Sequence, residues 1–264
     1  MNSHAPKKRF GQNFLIDPEI IHSIITAISP REKEVLVEIG PGLGAITQPL
    51  LSRSDQLYVI ELDRSLIPPL EKLAKEHSGL KIFQHDALSF DFSKLRSDTS
   101  KLRIVGNLPY NISTPLLFHL LSFSEDIQDM HFMLQKEVVD RICAQNGDRN
   151  FGRLSVMLQN YCSAERLFDI PPQAFNPPPK VMSSIVRLRP RVTPITPVQY
   201  QEAFKIVVQT AFSQPRKTLR NNLKNVIDIK SLEHCGLEPG ARPSEISIEG
   251  YACLAQHFHN TTPG

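Results

Sequence analysis

The sequence predicts an α/β fold, a doubly wound and mostly parallel seven-stranded sheet with helices on both faces, followed by a small helical domain. Three observations carry that expectation. Short apolar runs alternate with segments of helical period through the first half of the 264 residues, which is the signature of βαβ units. A glycine-rich turn, GPGLG at 40–44, falls between the first such run and the first helix. After Pro190 the strand-like runs stop and only helical patterns remain.

Each element follows from its residues. Val35–Ile39 (VLVEI) is a short, mainly apolar run of strand length that reads as a buried strand, with a helix expected from about Ile46. Residues 57–62 (LYVIEL) form the second strand, 65–77 the next helix, 81–84 a short third strand and Leu102–Asn107 the fourth. Ser113–Leu121 is helical, with Pro115 tolerated in its first turn. Residues 130–135 (MHFMLQ) are the fifth strand and 136–144 the helix after it. Residues 167–170 and 183–188, on either side of the proline-rich FNPPPKV, close the sheet as a hairpin. PRVTPITP (190–197) reads as a linker, so one boundary is placed at 190/191: a domain over 1–190, with 1–17 as its N-terminal segment, and a helical domain over 191–264.

Composition narrows the function. No apolar run is long enough to span a bilayer, and the basic N-terminus lacks the apolar stretch of a secretory signal. Four cysteines without a CxxC pair suggest reduced thiols in a cytoplasmic protein and argue against a zinc site. The net charge of +3 is unevenly spread: residues 175–230 carry +8 and the rest of the chain −5. Such asymmetry points to a polyanionic partner for the C-terminal part.

The candidate chemistry sits at strand ends. The turn around Gly40 lets the backbone approach a ligand, and Glu61 ends the next strand about 20 residues on, where a carboxylate takes ribose hydroxyls. Asp86 follows the third strand, placed to accept an adenine amine. Gly40, Gly42 and Ala45 also fit a dinucleotide fingerprint. Glu38 before the turn, Asp86 after the third strand and the lack of a hydride-transfer site favour S-adenosylmethionine over a nicotinamide. Asn107-Leu108-Pro109-Tyr110 follows the fourth strand. An adenine amine is a poor nucleophile because its lone pair is delocalised into the ring. The Asn107 side-chain oxygen and the Leu108 carbonyl, accepting from its two hydrogens, would favour a pyramidal nitrogen. Pro109 stiffens the turn, and Tyr110 offers a stacking face to an extruded base. Phe175, at the head of FNPPPKV, is either a second plate for that base or a core residue. No metal enters this chemistry.

Taken together, KKRFGQNFLID (7–17), EIGPGLGAIT (38–47), IELD (60–63), HDAL (85–88), NLPYNIS (107–113), FNPPPKVMSS (175–184), AFSQPRKTLRNNLK (211–224) and GLEPGARPSEIS (236–247) resemble the KsgA/RsmA family of ribosomal RNA small-subunit adenine N6,N6-dimethyltransferases. The resemblance spans nearly the whole chain. It implies a Rossmann-like class I methyltransferase fold and a donor site completed by Asn13 and Leu15 together with Gly40, Glu61, Asp86 and Asn107. It further implies a target of two adjacent adenosines in a hairpin loop near the 3′ end of 16S ribosomal RNA. The substrate would be the assembling 30S subunit, with a role late in its biogenesis, and the enzyme a cytoplasmic monomer whose helical domain binds RNA. One departure is Pro215, where the family usually carries a further basic residue; a proline there could open the next helix.

Three other readings compete. An Erm-type 23S ribosomal RNA methyltransferase shares the chemistry, but AFSQPRKTLRNNLK and Leu108 favour the small-subunit family. A DNA adenine methyltransferase would need a target-recognition domain for which no chain remains. A non-catalytic RNA-binding assembly or transcription factor on the same scaffold would be expected to lose Asn107, Tyr110 or a cofactor acid, all of which are present.

Overall fold

A computed structural model describes residues 13–96, 100–109 and 111–261. In chain order the elements are β1 (Phe14–Leu15), α1 (Pro18–Ile28), β2 (Val35–Ile39), α2 (Thr47–Leu51), β3 (Gln56–Glu61), α3 (Ile67–Glu76), β4 (Leu80–Gln84), β5 (Leu102–Asn107), α4 (Ser113–Leu121), β6 (Ile127–Gln135) and α5 (Lys136–Cys143). Then come α6 (Arg153–Tyr161), β7 (Cys162–Ile170), β8 (Phe175–Asn176), β9 (Ser183–Pro190), α7 (Gln201–Ala211), α8 (Leu219–Leu223), α9 (Ile229–His234) and α10 (Ile248–Thr261).

The seven-stranded sheet runs β4-β3-β2-β5-β6-β9-β7. Strands β2 to β6 are parallel neighbours in that order, and β9 lies antiparallel to β6. The five parallel strands therefore end at one common edge. Chain order reverses between β2 and β5, since β3 follows on one side of β2 and β5 opens the other. A crevice at the carboxyl ends of strands forms at such a switch point. β2 is buried along its whole length, Glu38 included, as its otherwise apolar run suggested.

Two helices lie outside the sequence expectation. α1 starts at Asp17, whose carboxylate accepts from the Glu19 and Ile20 N–H groups, with Pro18 at its first position. It buries Ile24, Ile25 and Ile28 in the core that also holds Leu36, Leu50 and Val59. α6 packs Val156 and Met157 with Phe204, Val207 and Leu254 of α7 and α10. That packing changes the domain plan. The chain divides into one compact unit of residues 1–139 and 165–190, and a second of 140–164 and 191–264. Residues 140–164 group with the C-terminal helices because Ala144, Phe151, Val156 and Met157 are buried there.

At the amino edge of the sheet, Arg103 of β5 is held from several sides. Its Nε and Nη2 donate to the two carboxylate oxygens of Asp129, each at 2.9 Å. Its Nη1 donates to Glu34 at 2.7 Å, and further bonds reach the carbonyls of Ile28 and Ser29. One guanidinium thus ties the end of α1 and the approach to β2 to β5 and β6.

Two expectations are corrected in the second unit. Cys235 and Cys253 form a disulfide, Cα atoms 5.8 Å apart, where the sequence suggested unpaired thiols. The two stand 18 residues apart and become neighbours only when α10 folds back on the end of α9. Pro215 does not open a helix: it lies in the turn before α8, which begins at Leu219 and is capped by Thr218. Among the described residues no helix is long and apolar enough to cross a membrane.

Candidate active site

The carboxyl edge of the first unit holds a cavity of about 350 Å³, of small-molecule size. Its lining includes Asn13, Leu15, Gly40, Glu61, Asp86, Asn107, Leu108 and Pro109. These come from five separate stretches of sequence. Tyr110 lies outside the described residues.

The floor is set by two close approaches. Gly40 and Gly42 hold φ values of +65° and +59°, in the left-handed region that side chains rarely adopt. A Cβ on Gly42 would stand 3.2 Å from the Phe14 ring. Gly106, opposite Ile39 in the β2–β5 ladder, is tighter still: a Cβ there would fall 2.6 Å from the Ile39 carbonyl oxygen. Only glycine lets β5 close on β2 at the switch point. The sequence analysis gave Gly106 no role, although a glycine inside an otherwise apolar strand is a signal of close backbone approach.

The acids are held by hydroxyl and backbone N–H donors. Glu38 is buried, 1% exposed, and accepts from the Thr47 hydroxyl at 2.6 Å. Burial pushes its carboxyl up to about 8, opposed by Thr47 and reinforced by Glu61. Glu61 accepts from the Asp63 N–H at 2.8 Å. Burial raises its pKa, opposed by the N–H groups of Asp63, Gly42 and Leu62. Asp86 accepts from the Leu88 N–H at 2.9 Å, which fixes its carboxylate at the cavity wall. Among the described residues neither Glu38 nor Glu61 pairs with a lysine or arginine.

Asn107, at the end of β5, is oriented by a contact the sequence did not suggest. Its Nδ2 donates to the Asn13 carbonyl at 3.1 Å, 94 residues away. An amide committed on its nitrogen side presents its oxygen on the other. The Leu108 N–H donates to the Met133 carbonyl at 3.2 Å, so this peptide is pinned to β6. The Pro109 carbonyl accepts from Ile112, closing the turn.

Phe175 sits elsewhere than in the cavity. β1 and β8 pair antiparallel, with Leu15 opposite Phe175 and Phe14 opposite Asn176. The Phe175 ring is 3% exposed and packs in the core with Leu15, Ile170 and Ala174. It supports the strand that carries Asn13 to Leu15 along the cavity, and does not face a base. Phe14–Leu15 and Phe175–Asn176, 160 residues apart from Leu15 to Phe175, are therefore one two-stranded ribbon. The fit to a nucleoside donor is good: glycine backbone on the floor, and two acids whose ionised forms are short of partners.

Comparison with known proteins agrees with this geometry. Residues 3–258 match the family described as "Ribosomal RNA adenine dimethylase". The chain is 50% identical over 260 residues, 98% of its length and 100% of the relative's, to "Ribosomal RNA small subunit methyltransferase A" of Dechloromonas aromatica (strain RCB). Among solved structures it is similar to a dimethyladenosine transferase from Plasmodium falciparum, with TM-score 0.79 and 26% identity, covering 94% of this chain and 98% of that one. It is also similar to the 23S rRNA methyltransferase ErmE, with TM-score 0.73 and 25% identity, covering 93% and 99%.

Proposed function

The chain belongs to the ribosomal RNA adenine dimethylase family, and from that membership we propose that it dimethylates N6 of two adjacent adenosines in a hairpin loop near the 3′ end of 16S ribosomal RNA. It acts on the assembling 30S subunit, late in its biogenesis, as a cytoplasmic monomer. The observation that carries this reading is the Asn107 amide, held by the Asn13 carbonyl at the switch point of the sheet. The relative named for the small subunit, matched end to end at 50% identity, supports 16S over 23S RNA as the target.

Asn13, Leu15, Gly40, Glu61, Asp86 and Asn107 would hold S-adenosylmethionine. When bound, it supplies a methyl carbon made electrophilic by the adjoining sulfonium. Glu61 accepts from the ribose hydroxyls, and Asp86 accepts from the donor's adenine amine. The Asn107 oxygen and the Leu108 carbonyl accept from the two hydrogens of the target amine, localising its lone pair. The amine proton leaves after attack, so no side chain need act as base beforehand, and no metal is needed for the transfer. Tyr110 stacks on the extruded base, a contact worth about 1–3 kcal/mol.

In the second unit Arg216, Lys217 and Arg220 are exposed at and beside the turn before α8, which supports a role in holding RNA phosphates. Reversing all three charges should lower the slope of log affinity against log salt by about 2–3, at 0.7–0.9 per lost phosphate contact. An unchanged slope places the RNA on another surface. The function itself is tested by offering labelled methyl donor to undermethylated small subunits, large subunits and DNA in parallel. N6,N6-dimethyladenosine in small-subunit RNA alone is the expected product; label in large-subunit RNA or DNA contradicts the assignment.

A further inference from the structure

The second unit carries a cluster that the methyl-transfer site does not use. Cys235 follows directly on α9, while Cys253 and His257 stand one turn apart on α10. The two sulfur atoms and a ring nitrogen of His257 all lie within 4.8 Å of one another, and all three residues are half-buried. The His234 ring packs edge-on against His257, centroids 4.3 Å apart, so the imidazole is held at the cluster.

Two thiolates and an imidazole are the ligand set of zinc. Bonds of about 2.3 Å to sulfur and 2.0–2.1 Å to nitrogen place ligand atoms about 3.3–3.8 Å apart around a tetrahedral ion. Atoms already within 4.8 Å reach that spacing by side-chain rotation. Cα atoms 5.8 Å apart leave the two cysteines room to share one ion. The spacing of 18 residues hid this from the sequence, where the lack of a CxxC pair argued against zinc.

We propose that Cys235, Cys253 and His257 form a zinc site when the two cysteines are reduced, and that the disulfide and the metal are alternative staples between the end of α9 and α10. Because the groups are only half-buried, solvent completes the fourth position. The interconversion balances. A dithiol gives two electrons and two protons to the S–S bond, becoming a cyclic disulfide and leaving two thiols. Zinc uptake then releases both thiol protons, while neutral His257 binds through a ring lone pair.

The test uses the full chain, reduced with a phosphine, desalted without air and titrated with cobalt(II) alone, then with zinc(II) alone. One equivalent of cobalt should bind with thiolate-to-metal charge-transfer absorption and the d–d bands of a tetrahedral centre, and zinc should displace it. The air-oxidised chain, identical in sequence and carrying the bridge, should show neither band. The Cys143→Ser/Cys162→Ser variant should bind as the parent does. Cys253→Ser should lose the thiolate absorption, and His257→Ala should weaken cobalt binding by more than about tenfold, the lower end of what losing even a group that only orients a ligand costs. Stoichiometric binding that survives in the oxidised chain or in Cys253→Ser overturns the proposal. So does a reduced chain that binds no cobalt, or binding unaffected by His257→Ala.

Discussion

The two edges of the sheet handle buried charge in opposite ways. At the amino edge, the Arg103 guanidinium meets two carboxylates and two carbonyls. At the carboxyl edge, Glu38 and Glu61 are buried against a hydroxyl and backbone N–H groups, and burial raises the pKa of both. The first arrangement is complete within the chain and locks strands together. The second leaves acceptor capacity unspent, which costs stability in the absence of a ligand and is what a hydroxyl- and amine-bearing donor would relieve. The difference separates residues that lock the fold from residues that line the cavity, although both sets include acids on or beside strands of one sheet.

Substitutions at the two edges should therefore split stability from binding. Arg103→Met leaves Asp129 buried and unpaired, and should cost about 3–5 kcal/mol of unfolding free energy, with donor affinity unchanged once folded. Urea unfolding beside calorimetric titration reads both quantities. An affinity loss as large as the stability loss would erase the distinction between the edges. Glu61→Ala should do the reverse. Losing hydrogen bonds to a charged group at about 1.5–3 kcal/mol each should weaken donor binding by at least about 100-fold, with the unfolding midpoint equal or higher. Unchanged donor affinity would remove Glu61 from the site.

Acidity sharpens the same contrast on a smaller scale. His131, packed beside Asp129, Arg103, Arg187 and Arg189, is depressed by burial from 6.5 to about 4. Between those values the unfolded chain binds a proton that the folded one does not, so stability falls as pH drops through this window. Glu38 is raised from 4.5 to about 8. There the folded chain keeps a proton the unfolded chain has released, so stability falls as pH rises from about 4.5 to about 8. His131→Phe should flatten the acid side of the stability profile and Glu38→Gln the neutral side. Urea midpoints across pH check both, and parallel profiles for parent and variants would contradict the burial of either group.

Much of this was legible in the sequence, and the failures share a cause. β2 and β5 could be read because a strand buried on both faces is mostly apolar, with one charged residue in each, and each stops at a Gly or Pro turn. Glu61, Asp86 and Asn107 reach one cavity because parallel strands end at one edge, so their spacing already encodes their proximity. Phe175 carried no sign of whether its ring faced a base or the core, and its pairing with Leu15 decides that. The Asn13 carbonyl on Asn107, the Cys235–Cys253 bridge and the transfer of 140–164 to the second unit are contacts between distant segments. α1 was missed for another reason. Its Asp17-Pro18 start is a helix signal, but the residues around it were weighed only as an N-terminal segment of the domain.

Steady-state kinetics of Asn107→Ala on undermethylated small subunits, with donor and RNA affinities measured alongside, test the central claim most directly. Removing one preorganised polar contact to the reacting group should lower kcat by about 10²–10³, with RNA affinity within a few-fold of the parent. A kcat near that of the parent would contradict the account of amine activation.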